Sequence, residues 1–429
     1  MGPEWVAIIA LVALFVIGTV LPINMGALAY VAAWLVGMYS LNLDEKEILA
    51  GVSGDLILTL IGVTYLFAIA RNNGTVDLIV QGAVRGVGGR VALIPWVMFA
   101  VTAVLTAIGA VSPAACAIIG PIALGFAGRY GISPLMMGML VVHGAQAGGF
   151  SPISIYGTIT NSVMRENDLP NSELTIFLSS LVINTIMAAI LFFVLGGRRL
   201  WSLRIDPSEE EPEGSGPGGS GGGTAVATRT VVTRDQVLTL IAFVGVAVVA
   251  LAFDKNIGFV AITAAVILSM LAPEQNKDTV KQIAWPTVLL VAGVSTYATI
   301  LETAGSPEFV GNWAAGLGTA VLGALILCYV GGVVSAFASS TALLPVIIPI
   351  AIPLIADGGV SAGLFVAALA VSSTIVDVSP FSTNGALMLA NRPDSIGEQT
   401  YYKQILTYSV IVVLVGPLLV WTALVLPGW

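Results

Sequence analysis

The chain of 429 residues is 57% hydrophobic and only 9% charged, with a mean hydropathy of +0.98, whereas charged residues make up about a quarter of a soluble domain. That composition excludes a soluble globular protein and identifies an all-α polytopic membrane protein whose partner is the lipid bilayer. The net charge of −8 gives no sign of a nucleic-acid partner, and Cys116 and Cys328, the only cysteines, stand in apolar segments with neither a disulfide framework nor a zinc motif.

A helical span takes about 20 apolar residues. Windows of that kind fall, in chain order, at 4–21, 24–40, 54–71, 136–162, 174–196, 236–253, 256–272, 284–301, 362–390 and 405–427. The first has no basic segment before it and no small-residue cleavage site after it, which predicts a retained helix and not a signal peptide. The stretch "TVDLIVQGAVRGVGGR" (75–90) is amphipathic and reads either as an arm between two domains of the membrane body or as an interfacial helix. Two longer apolar regions, 91–128 and 318–356, are interrupted by "GAVSPAAC" and "SAFASSTALLP". In the first, Pro113 removes a backbone donor and Gly109 and Ser112 weaken the helix. Each region therefore predicts a re-entrant hairpin, with a double crossing as the alternative that leaves sidedness unchanged. Residues 205–234, with "EEEPEGSGPGGSGGGT", predict a flexible linker.

Strict alternation of the spans puts 13 of the 16 basic residues on the side of the linker and only Lys46, Arg165 and Lys255 on the other. The positive-inside rule makes the linker cytoplasmic and both termini external, in a cell (inner) membrane.

The linker separates two similar halves, 1–204 and 235–429. "GVTYLFAIARNNGT" (62–75) aligns with "GVSTYATILETAGS" (293–306). "SPAACAIIGPIA" (112–123) aligns with "STALLPVIIPIA" (340–351), and "SPISIYG" (151–157) with "SPFSTNG" (379–385), both at an offset of 228. Each half holds five crossings and one hairpin, an odd number that inverts the second copy. Inverted repeats with broken helices are the construction of secondary transporters, with the site near mid-bilayer.

Broken elements expose backbone groups that hydrocarbon cannot satisfy. Polar residues gather at those breaks: Ser112; Ser151, Ser154 and Thr158; Ser335, Ser339, Ser340 and Thr341; Ser379, Ser382, Thr383 and Asn384. Helix N-termini suit an anion, while carbonyls and hydroxyls suit a hard cation. The candidate substrate ligands are Ser112, Ser151, Ser154, Ser340, Thr341, Ser379, Ser382, Thr383 and Asn384. Intramembrane carboxylates are functional by default, which marks Asp377 as a sodium or proton ligand; its repeat equivalent is Gly149. His143, the sole histidine, reads either as a titrating group or as a hydrogen-bonded structural imidazole, and Glu302 as a solvated residue near a span end.

The stretch "SSTALLPVIIPIA" resembles the hairpin signature of the divalent anion–sodium symporters of the ion transporter superfamily, with the tip at Ser339-Ser340-Thr341 and the following proline at Pro349. "GAVSPAACAIIGP" and "HGAQAGGFSPISIYGTITN" are similar, more narrowly, to the malonate and dicarboxylate carriers of the MatC type. The resemblance implies a homodimer, an elevator motion, and sodium-coupled uptake of a small dicarboxylate such as malonate. It makes Ser335 and Ser339 cation ligands beside Asp377, and Ser112 and Gly149 their counterparts in the first half. There the tip reads Val111-Ser112-Pro113, so only one hydroxyl remains and the first cation site departs from the pattern.

Moving a dianion inward against an inside-negative potential costs about 4.6 kcal/mol per 100 mV. With no intramembrane Lys or Arg, co-bound sodium ions, more than two per dianion, supply the drive; protons carried by Asp377 or His143 are the alternative. A cation–proton antiporter of the same superfamily is a rival reading, although such carriers use paired buried carboxylates. A membrane enzyme is disfavoured because a single histidine allows neither HExxH nor a His-rich cluster. No cofactor is expected beyond the coupling ions.

Overall fold

The computed structural model describes residues 2–21, 23–85, 88, 90–203, 232–253, 255–315, 319–336, 340–356 and 360–427. The expected linker lies almost wholly outside the described residues, as does Ser339. All the regular elements are helical, as hydrocarbon requires when every backbone group must be satisfied within its own segment.

In the first half, α1 (Pro3–Val20) and α2 (Met25–Ser40) form an opening pair, and short α3 (Glu45–Ala50) leads into α4 (Gly54–Asn72) and amphipathic α5 (Thr75–Arg85). Next come a helical hairpin, α6 (Ile94–Ala107) and α7 (Ser112–Tyr130), and a helix broken into α8 (Pro134–Gly148) and α9 (Ile155–Glu166). Helix α10 (Glu173–Val194) and short α11 (Gly197–Leu200) end the half. The second half repeats the order. It has a pair, α12 (Arg234–Ala252) and α13 (Ile257–Leu271), short α14 (Pro273–Asn276), then α15 (Trp285–Thr303) and α16 (Ser306–Ala315). A hairpin of α17 (Ala320–Ser335) and α18 (Ser340–Ala356) follows, then broken α19 (Ala362–Ile375) and α20 (Thr383–Ala390), and finally α21 (Glu398–Leu424). All ten expected windows and both interrupted regions are thus helical.

The starts of these helices are written in the sequence. Asp44 and Glu47 make a capping box on α3, and Thr233 and Gln236 another on α12. Prolines occupy the first turns of α1, α6, α7, α8 and α15, where a missing N–H is harmless.

Two helices are buried on every side: α8 from Leu135 to Gly148, and α19 from Phe365 to Ile375. A helix apolar all round belongs in a core. Helices α6, α7 and α10 surround α8, and α17, α18, α10 and α21 surround α19. The opening pairs lie outside this body and are exchanged between halves, with α2 packing on α15 and α13 on α4.

Glycines make that exchange possible. A Cβ on Gly26 would stand 2.0 Å from the Leu289 carbonyl oxygen, and one on Gly293 would stand 2.0 Å from that of Gly26. In the counterpart crossing, a Cβ on Gly62 would lie 2.7 Å from the Gly258 carbonyl oxygen. Gly62 and Gly293 open the pair of stretches aligned above. Lipid offers no hydrophobic drive between helices, so close backbone approach through small residues carries the association.

Gly26→Val or Gly293→Val is therefore expected to destabilise the protein by roughly 1–3 kcal/mol through overpacking, read as a lower thermal midpoint in detergent. Gly82→Ala in α5, where a Cβ meets nothing within 4 Å, is expected to leave the midpoint unchanged or raise it slightly.

Candidate substrate and cation site

The two copies of the opening motif fold alike. Between α8 and α9, Ser151 Oγ donates to the Ala107 carbonyl at the end of α6 (2.8 Å). Between α19 and α20, Ser379 Oγ donates to the Ala336 carbonyl at the end of α17 (3.0 Å). Each break is thereby latched to the first arm of its own hairpin. Ser154 and Ser382 then cap the next helix, accepting from Gly157 N (3.3 Å) and Gly385 N (3.2 Å) and donating to the carbonyls of Ser151 (2.6 Å) and Ser379 (2.8 Å). Gly157 and Gly385 are needed because a Cβ on either would stand 2.0 Å from the Ser151 or Ser379 carbonyl oxygen. These four serines build the breaks, and their hydroxyl protons are already committed to backbone.

The first hairpin tip ends at the second break. Asn384 Nδ2 donates to Ser112 Oγ (2.8 Å) and to Asp377 Oδ2 (2.8 Å), and Gln146 Nε2 reaches the same carboxylate oxygen (3.2 Å). Ser382 also lies against Asp377, and Tyr156 lies against Ser112 and Gln146. Ser112, Gln146 and Asn384 are buried and Asp377 is partly accessible. The amide oxygens of Gln146 and Asn384 are buried with no hydrogen-bond partner. Among the described residues no Lys or Arg is buried, so no side-chain cation balances Asp377.

At the second hairpin, Ser335 and Ser340 meet at 2.8 Å, and Ser340 Oγ donates to the Ser373 carbonyl (3.3 Å). Thr341 is buried beside them, whereas Thr383 is exposed. The structure thus joins Ser112, Asp377, Ser382 and Asn384 in one cluster and pairs Ser335 with Ser340. The Gly149 carbonyl is taken up by Gly157 N (3.1 Å) and by Ser154 Oγ. Sequence reading missed Gln146 and Tyr156. A polar side chain within apolar α8 marks the first, and position 156, 228 before Asn384, marks the second.

His143 is fully buried and bonded on both ring nitrogens: Nδ1 to Asn184 Oδ1 (2.9 Å) and Nε2 to the Tyr408 hydroxyl (2.6 Å). An amide oxygen only accepts, so Nδ1 carries the proton and the tyrosine donates to Nε2. Asn184 continues to the Ser180 carbonyl (3.0 Å), and Ser180 Oγ to the Gln146 carbonyl (3.0 Å). This chain ties α8 to α10 and α21. Glu302 is exposed, as expected.

A cavity of about 270 Å³ is lined by Arg165, by Pro152 of the first break and by Asp55, Thr158, Asn161 and Lys255, among others. Arg165 is held by Asp55 (3.1 Å) and Glu173 (3.7 Å). The cavity lies along α9, not at Asp377. Among the described residues no group of three or more His, Cys, Asp or Glu side chains could hold a metal, and Cys116 and Cys328 are free and buried.

Residues 1–149 match the family model for the N-terminus of the dicarboxylate carrier protein MatC, and residues 248–428 match that of a citrate transporter. The fold is similar to the crystal structure of the YdaH transporter of Alcanivorax borkumensis. The two share 14% identity at a TM-score of 0.59, over 87% of this chain and 86% of that one. No curated protein matches the chain. The resemblance to MatC-type carriers and the ion transporter superfamily is borne out, and the two transporter-family matches make the chain a multi-pass membrane carrier.

His143→Ala is expected to leave Asn184 and Tyr408 unpaired and to cost roughly 1–3 kcal/mol, read as a lower thermal midpoint. His143→Gln, which keeps a donor and an acceptor, is expected to leave the pH profile of transport unchanged; a shifted profile would make the imidazole a titrating carrier.

Proposed function

We propose that the protein imports a small dicarboxylate, malonate foremost, by symport with a cation, sodium before proton. The observation that carries this reading is the meeting of the first hairpin tip with the second break, where Ser112, Asn384 and Ser382 gather around Asp377. A carboxylate beside buried polar oxygens and without a basic partner calls for a mobile cation. Each half matches a family of carboxylate transporters, which supports the substrate class.

The substrate site in this reading is the region where the breaks and tips converge, with Ser340 and Thr341 facing it from the second hairpin. The serines at 151, 154, 379 and 382 act mainly by holding the breaks open. The repeated element order and the exchanged outer helices support two inverted copies. The core around α8 and α19 forms the body that would move as an elevator against α1, α2, α4, α12, α13 and α15. The polar cavity from Arg165 to the first break is the route of entry from the side poor in basic residues, which is external if the positive-inside rule holds. A homodimer and an inner-membrane location complete the reading.

Uptake of labelled malonate into proteoliposomes, at fixed membrane potential, tests it. Accumulation is expected under a sodium gradient and is expected to fall about tenfold or more in Ser112→Ala and Asn384→Ala, each of which removes hydrogen bonds at the charged cluster. Accumulation with a proton gradient alone would move the coupling to protons. Failure with malonate, succinate and citrate under either gradient would sink the carboxylate assignment.

A further inference from the structure

The two breaks share a backbone but not their contents. Position 377 is Asp and position 384 is Asn, while the equivalents 228 residues earlier are Gly149 and Tyr156. In the first half, a Cβ at Gly149 would stand 2.7 Å from Cδ2 of the Tyr156 ring. The space that a carboxylate would need at 149 is therefore filled by an aromatic ring. The Gly149 carbonyl accepts from Gly157 N and shares the single Ser154 hydroxyl proton with the Ser151 carbonyl.

The second break is the opposite case. Asp377 is met by Gln146 from α8 and by Asn384 from α20, and Asn384 in turn by Ser112 from the first hairpin. Both amides turn a nitrogen towards the carboxylate, and both amide oxygens lie buried without a partner. Half a turn of either amide about its last bond would bring its oxygen to the place its nitrogen now occupies. Carboxylate, two amide oxygens and a hydroxyl make a hard-oxygen set with one negative charge, matched to a monovalent cation. A proton on Asp377 would neutralise that charge but could satisfy at most one of the stranded acceptors.

Resting on the reading of cation-coupled transport, we propose that each chain holds a single coupling sodium ion. It sits in a site that spans both halves, formed by Asp377, Gln146, Asn384 and Ser112, and Tyr156 closes the counterpart site in the first half. One ion neutralises one charge, fewer than the sequence reading required for a dianion. The cargo that moves no net charge with one sodium ion is then the monoanion of the dicarboxylate, and the loaded site keeps the single negative charge of Asp377.

Equilibrium binding of radiolabelled sodium to the purified full chain, in choline chloride, tests the proposal. Saturation is expected at one ion per chain with a Hill coefficient near 1. Asp377→Asn and Gln146→Leu are each expected to weaken binding at least tenfold, and Tyr156→Phe is expected to keep one ion. Thermal midpoints in choline chloride show whether each variant is folded; if Asp377→Asn does not fold, Gln146→Leu carries the test. Two ions per chain, undiminished binding in folded Asp377→Asn or Gln146→Leu, or proton uptake with no sodium bound would overturn the proposal. Sodium-driven uptake together with two bound ions would defeat the single site alone. One bound ion without uptake of any carboxylate under any gradient would defeat the transport reading and leave the site standing.

Discussion

Everything in this molecule follows from interrupting helices that are buried on all sides. At a break, the N–H and C=O groups that a helix would pair are set free in a region where water cannot reach them, and each unsatisfied group costs several kcal/mol. The protein resolves this with one serine that latches the break to a hairpin arm and another that caps the next helix. Ser151 and Ser154 do so in the first half, Ser379 and Ser382 in the second. Because the latch joins break to hairpin, the two elements form one body.

Once the breaks are stable, what they display can diverge. The first fills its space with the Tyr156 ring, and the second places Asp377 among amides and hydroxyls. A carboxylate that is not paired with Lys or Arg is tolerable only where something neutralises its charge. In a carrier, that need is an opportunity, since the neutralising ion can travel with the substrate. The polar residues along α9, from Thr158 to Arg165, contrast with their apolar counterparts on α20, such as Ala386 and Leu389. The approach to one break is thus more polar than the approach to the other.

Outside this body the forces are different. The outer helices are tied by hydrogen bonds near their ends, such as Asn73 to Thr239, and by Tyr297 to the Ala7 carbonyl, while lipid competes for their apolar faces. Glycine-mediated crossings at Gly26–Gly293 and Gly62–Gly258 join each half to the other, so the outer layer is itself made of helices from both halves. Inside, His143 has a comparable structural part, linking three core helices through Asn184 and Tyr408.

Sequence alone determined the membrane class, the ten windows and two interrupted regions, and the repeat at an offset of 228. Hydropathy, proline placement and motif register are local properties that composition and spacing display directly. It also located the polar breaks and singled out Asp377, because a carboxylate in an apolar span is conspicuous. Which serines serve the backbone was decided only by tertiary structure, since a hydroxyl looks the same in sequence whether or not it donates to a carbonyl such as that of Ala107. The same holds for Gln146 and Tyr156. Gln146 matters through a contact to Asp377 across more than 200 residues of chain, which exists only after the two halves have closed on each other. Tyr156 meets Ser112 and Gln146 only once the first hairpin has folded onto its break, and no local spacing encodes either contact.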